Sequence, residues 1–341
     1  MKQLIKLNAA LFVLFTLLAF PLFYFVYKYS SPYVGMIDFF DYYKLYQNMD
    51  YHAADSPLNM RLVSSFFIHC MSRCGIFYDT MTHIDKAPFD KVIYFNAVFF
   101  NFLSVVATCV MIYHLARQRS QSPLFSFLAG LLYLLGFGTI FFQLMPLADA
   151  FSVLLLTFLL WHYHQKSYWI ALPLLILILQ REYIFLAFGL IAFVDYLKYR
   201  QKYYLHALIF TVACFATYVV LRKLYFETER YSHHTNVEFM IASLSTLHFP
   251  IMPFIKQTLM TMNICLIYFL VVLYKRYKQL EINRYELLKV TLLIVQVLIL
   301  TFLLALGNNA GRYFYLLVPI VILNLMDELK PLKLEESAAK A

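Results

Sequence analysis

The chain has 341 residues, 62% of them hydrophobic and only 14% charged, with a formal net charge of +9. A soluble domain of this size needs a far more polar surface, so the composition excludes one. Apolar runs of about 20 residues alternate with short basic or mixed loops and predict an all-α, polytopic transmembrane bundle; a membrane β-barrel needs short alternating segments, which are absent.

The positive charge follows the positive-inside bias of cytoplasmic loops and carries no nucleic-acid motif with it. Cys109, Cys214 and Cys265 fall in apolar runs and read as small apolar residues. Cys70 and Cys74 are four residues apart; a disulfide within one helical turn is strained, and a lone CxxxC is a weak metal signature. The reading therefore assigns no metal and no cofactor.

In chain order, Lys2 and Lys6 precede an apolar stretch over Leu7–Tyr27 that is too long for a signal-peptide core. It reads as the first span, with the amino terminus inside. Residues 28–91 form a long first extracytoplasmic loop rich in Asp. Within it, Met60–Tyr78 is apolar but holds Arg61, His69 and Arg73, and reads as an amphipathic helix on the membrane surface. The later spans are Val92–Leu115, Leu124–Leu144, Ala150–Tyr163, Tyr168–Leu179, Tyr183–Leu197, Tyr203–Leu221, Ile251–Tyr274, Leu287–Leu306 and Tyr313–Met326. That makes about ten spans with both termini cytoplasmic, a single module over 1–326, a second external loop at 222–250 and a tail at 327–341. The basic loops at 117–119, 198–202 and 275–278 then all face the cytoplasm. If Met60–Tyr78 crossed the membrane, every one of them would face outward, so the charge rule decides that segment.

The charges beside hydrocarbon fall on the external side. Asp38 and Asp41 are three apart and Tyr42 is four from Asp38, so on a helix they share a face. A carboxylate there can act as a general base, or simply favour a helix start. Arg61 can hold a phosphate or an acidic partner, or reach lipid head groups. Pro146 and Asp149 suit the first turn of a span. Gln180, Arg181 and Glu182 interrupt apolar runs on both sides. They either satisfy one another at a turn, or turn Arg181 inward toward Asp38 or a phosphate. Arg312 follows Gly307 and Gly311 and opens the last span, as a phosphate ligand or a loop cation. His233, His234 and His248 lack the spacing of a zinc site.

This ordered set resembles the GT-C superfamily of integral membrane glycosyltransferases, in particular bacterial members with only the transmembrane module. The resemblance rests on Asp38-Phe-x-x-Tyr42-Tyr43 opening the first external loop, an Arg-led segment at Arg61–Phe67, Pro146-x-x-Asp149, Arg181-Glu182, and Gly311-Arg312 before a last helix with Pro319. It runs from residue 1 to 326. It implies transfer of a sugar from a polyprenyl-phosphate-linked donor to a glycan, lipid or protein acceptor. Transfer takes place at the outer face of a bacterial cytoplasmic membrane, with inversion. It also implies Asp38 as base with Asp41 positioning it or the acceptor, Arg181, Arg312 and Arg61 on the departing phosphate, and Asp149, Glu182 and Tyr42 in support. The chain carries no Asp-x-Asp pair for a metal-dependent variant and no carboxyl-terminal external domain of the kind many members use for acceptor recognition. Other readings of the same pattern are a lipid-linked oligosaccharide polymerase or ligase, a transporter, and a non-catalytic envelope subunit.

Overall fold

A computed structural model describes residues 2–30, 38–54, 58–76, 89–119, 121–226, 263–303 and 310–338, and all regular structure among them is helical. In chain order the helices are α1 (Lys2–Tyr29), α2 (Phe39–Asn48), α3 (Leu62–Arg73), α4 (Lys91–Gln118), α5 (Pro123–Leu135) and α6 (Asp149–His164). They continue with α7 (Ala171–Leu177), α8 (Tyr183–Tyr199), α9 (Lys202–Leu221), α10 (Asn263–Tyr277), α11 (Arg284–Leu303), α12 (Ala310–Leu316) and α13 (Val318–Ala338). Short 3-10 or π turns lie at Leu58–Met60, Thr139–Gln143, Tyr168–Ile170 and Arg222–Phe226. The chain divides into two compact units, Met1–Thr108 with Thr139–Thr235, and Cys109–Gly138 with Asn236–Ala341. Hydropathy alone does not separate these units, since it carries no record of which helices pack together.

Among the described residues, three helices are long and apolar enough to cross a membrane: Lys6–Tyr29, Lys91–Gln118 and Lys202–Phe226. Each coincides with an expected span. α1 shows why. Leu11, Phe15, Ala19, Phe23 and Val26 form one buried stripe, and Phe23 packs on Phe95, Phe99 and Phe102 of α4. Its opposite face is just as apolar yet open, with Leu17 67% and Phe25 56% exposed. A helix apolar all round is at home against lipid. α9 repeats the pattern, burying Ala207, Thr211, Cys214 and Tyr218 and exposing Ile209, Val212, Val219 and Val220. Cys109 and Cys265, like Cys214, are buried, as expected of small apolar residues.

Of the other expected spans, Leu124–Leu144 and Tyr168–Leu179 appear as shorter helices, and Ile251–Tyr274 is described only from residue 263. α5 has 13 residues, about 20 Å of helix. Ser122 caps it by accepting from the Phe125 amide, and Pro123 occupies its first turn. It ends at Gly136, where the expected run to Leu144 gives way to a π turn. The expected last span is broken at Leu317 into α12 and α13, with Pro319 in the first turn of α13, where its missing amide proton goes unneeded. α13 continues past the expected boundary at residue 326. Asp327 and Glu328 belong to it and anchor it, so the tail expected from 327 begins as packed helix. Arg119 binds Asp327 and Asn324 at 2.9 Å each, and the fully buried Lys275 pairs with Glu328.

Within the second unit, Gly136 and Gly138 face Tyr315, whose hydroxyl donates to the Tyr133 carbonyl at 3.0 Å. A Cβ on Gly138 would lie 2.0 Å from Tyr315 Cδ2 and 2.4 Å from Cγ. The ring stem has little freedom to withdraw, so Gly138→Ala is expected to destabilise the protein by about 1–3 kcal/mol through overpacking. Thermal unfolding in detergent checks this; Gly138→Ala combined with Tyr315→Ala should lose less than the sum of the two single changes.

Candidate functional site

Asp149, Arg181, Glu182 and Arg61 come from three separate stretches of chain and meet in the first unit. Arg61 sits between the Leu58–Met60 turn and α3. Asp149 begins α6, Arg181 lies in the turn between α7 and α8, and Glu182 occupies the N-cap position of α8. Arg61 and Arg181 are each 2% exposed and Asp149 is 0% exposed.

The pairing crosses elements. Arg61 Nη1 donates to Glu182 Oε2 at 2.6 Å and Nη2 to Oε1 at 3.2 Å, a two-pronged contact matched to the planar guanidinium. Nη1 also donates to the Gln180 carbonyl at 2.6 Å. Arg181 Nη1 lies 2.9 Å from Asp149 Oδ1. Arg181 and Glu182 therefore do not satisfy one another across their turn, and Arg181 turns inward to Asp149.

Gln180 is the linchpin. Its amide nitrogen donates to the Ala148 carbonyl at 2.9 Å and to Ser152 Oγ at 3.3 Å, while its oxygen accepts from the Ser64 amide at 3.1 Å. One buried side chain thus joins the start of α6, the α7–α8 turn and the start of α3. The Asn101 amide adds a second clamp, donating to the carbonyls of Met145 and Leu147 just ahead of α6. Burial demands such matching, because an unmatched polar group in a dry interior costs on the order of 1–3 kcal/mol.

The electrostatics follow from the geometry. Burial pushes the Glu182 carboxyl up, but Arg61 and then Arg181 outweigh it and hold the group down at about 2. Burial likewise pulls Arg61 down, and Glu182 overcomes it, leaving the guanidinium above its ordinary value. Tyr42 on α2 and Tyr218 on α9 lie close enough to interact electrostatically with Arg61. Because the carboxyl of Glu182 is lowered on folding, its contribution to stability is present above the ordinary value of 4.5 and fades as pH falls toward about 2. The gap in thermal midpoint between wild type and Glu182→Gln should accordingly narrow on acidification from pH 7 to pH 3.

α3 explains how Arg61 arrives there. The helix has 12 residues, about 18 Å, too short to cross a membrane. Ser64, Ser65 and Ile68 are buried while Phe66 and Phe67 are exposed, so much of its polar side faces protein and aromatic rings face outward. That orientation is the reverse of a soluble surface helix and suits contact with lipid.

The two expected acids of the first loop belong to α2. Asp38 occupies the N-cap position of α2, and its carbonyl accepts from the Tyr42 amide at 3.2 Å. Asp41 pairs with Lys44 at 3.1 Å on the same helix. α2 is fixed by Phe39, which packs on Phe89 and Tyr94, and by Tyr46, whose hydroxyl donates to the Pro146 carbonyl at 3.4 Å. Arg312 belongs to α12 of the second unit, and its side chain, Gly307, and the loop histidines at 233, 234 and 248 lie outside the described residues.

Two polar positions escaped the sequence reading. Gln143, fully buried ahead of Pro146, has no hydrogen-bond partner for either amide atom among the described residues. Asp195 on α8 is buried and accepts from the Tyr163 hydroxyl at 2.8 Å. A single acid inside an apolar run was the available signal for Asp195. Among the described residues no group of three or more His, Cys, Asp or Glu side chains could hold a metal ion. No family model, curated protein or solved structure matches the chain.

Proposed function

We propose that the chain is a ten-span membrane glycosyltransferase of the GT-C kind in a bacterial cytoplasmic membrane, with both termini inside. It moves a sugar from a polyprenyl-phosphate donor to an acceptor on the outer face, with inversion. One observation carries the reading: the Arg61, Asp149 and Arg181–Glu182 motifs, recognised separately in the sequence, converge on one buried network beside Tyr42 of the helix that Asp38 begins. Asp38 serves as general base toward the acceptor hydroxyl. The ion-paired network sets the first loop against α6 and α8, so Arg61, Arg181, Asp149 and Glu182 position rather than react. Arg312 steadies the phosphate as charge develops on it.

A second reading, a non-catalytic membrane subunit, draws on the same pairing, because Arg61 and Arg181 are already matched by internal carboxylates. Purified protein incubated with a panel of polyprenyl-phosphate sugars separates the two. Donor consumption with release of polyprenyl phosphate is the expected result; no consumption and no donor binding across the panel would favour the subunit.

A further inference from the structure

On the first unit, the carboxyl-terminal end of α2, the second half of α3 and the start of α4 line an open cavity of about 340 Å³. That volume lies at the lower end of small-molecule sites, roughly 300–1,000 Å³. It involves neither Asp38 nor the buried ion pairs. Its lining is polar and carries one charge of each sign: Arg73 and Asp90, with His69, Ser72, Gln47 and Asn48.

His69 and Arg73 are four residues apart and share one face of α3. His69 Nδ1 lies 2.8 Å from the Tyr46 carbonyl, which can only accept, so Nδ1 carries the proton and Nε2 is the ring's second polar atom. Arg73 is exposed and makes no hydrogen bond or ion pair among the described residues. Asp90 accepts from the Val92 amide at 2.7 Å through Oδ1 alone, which caps α4 and leaves Oδ2 open to a ligand. Asp90 immediately precedes Lys91–Gln118, a helix able to cross a membrane.

A bare phosphate would meet the Asp90 carboxylate, and a neutral ligand would use neither charge. A compact zwitterion uses both. We propose that this cavity binds a phosphoethanolamine group, with the phosphate on Arg73 and the primary ammonium on Asp90 and the accepting Nε2 of His69, at the end of a membrane span. The group reaches it as a phospholipid head or as a soluble phosphoester. The proposal stands independently of the transferase reading, because its test measures binding and not turnover.

The full chain in detergent is titrated with fluorescent phosphatidylethanolamine, phosphatidylglycerol and phosphatidylcholine. Phosphatidylethanolamine is expected to bind about tenfold more tightly than the other two, the worth of one charge-assisted hydrogen bond. Arg73→Gln should weaken it about tenfold. Asp90→Asn, which retains a capping side chain, should abolish the preference over phosphatidylglycerol. Arg73→Lys should retain binding and so shows that loss in Arg73→Gln is not misfolding. Equal binding of all three lipids, or a preference that survives both Arg73→Gln and Asp90→Asn, overturns the proposal. Soluble phosphoethanolamine displacing the labelled lipid supports the head-group chemistry; binding of the soluble ester with no lipid binding overturns the bilayer as its source.

Discussion

Replacing Arg61 by Met alone is expected to destabilise the protein by about 3–5 kcal/mol, because it leaves the Glu182 carboxylate buried without its partner. Replacing both, Arg61→Met with Glu182→Leu, should recover most of that loss, since exchanging a buried ion pair for apolar groups of similar volume is often neutral. The reason lies in burial: Arg61 is 2% exposed and Glu182 13%. Arg61→Lys should fall between, because an ammonium cannot make the two-pronged contact that Nη1 and Nη2 make with the two carboxylate oxygens. Thermal unfolding of the four proteins in one detergent gives the comparison. The double variant also separates structure from chemistry. Restored stability with turnover kept would confine the pair to holding the first loop in place. Unchanged stability in Arg61→Met with turnover lost would instead put Arg61 on the substrate.

How much of this was legible depended on range. The spans at Leu7–Tyr27, Val92–Leu115 and Tyr203–Leu221 were readable within a few residues, because uninterrupted apolar length is a local property. The short helix expected within Met60–Tyr78 was readable because His69 and Arg73 break the apolar run, though it ends at Arg73, ahead of the expected limit. What charges do at a distance was not. Arg61 and Glu182 are 121 residues apart in sequence. Nothing near Arg181 says that it will choose Asp149 over its neighbour. Lys275 shows the same limit. It sits among Arg276 and Lys278 and reads as one more loop cation, yet it is buried against Glu328. A pairing partner is a fact of packing, and a single sequence records packing only where periodicity or length forces it.

That distinction bears on the two acids of α2, which spacing alone could not separate. Asp41 is half-buried and engaged at 3.1 Å by the exposed Lys44, an arrangement worth about 0–1 kcal/mol when one partner is open to solvent. Asp41→Asn should therefore leave turnover and stability nearly unchanged. Asp38 lies one turn before buried Tyr42, at the helix start that Phe39 anchors. Asn matches Asp in shape and suits a helix start equally well, so Asp38→Asn should melt like wild type. It removes the basic oxygen, however, and a missing general base costs about 10²–10⁴-fold in rate. Donor turnover by wild type, Asp38→Asn and Asp41→Asn, each checked for melting temperature and donor binding, decides the matter. A loss confined to Asp38→Asn with donor binding intact is the expected outcome. Full turnover in Asp38→Asn would remove this residue from the reaction. It would point to Asp41 as the base, or to a polymerase or ligase that needs no carboxylate base.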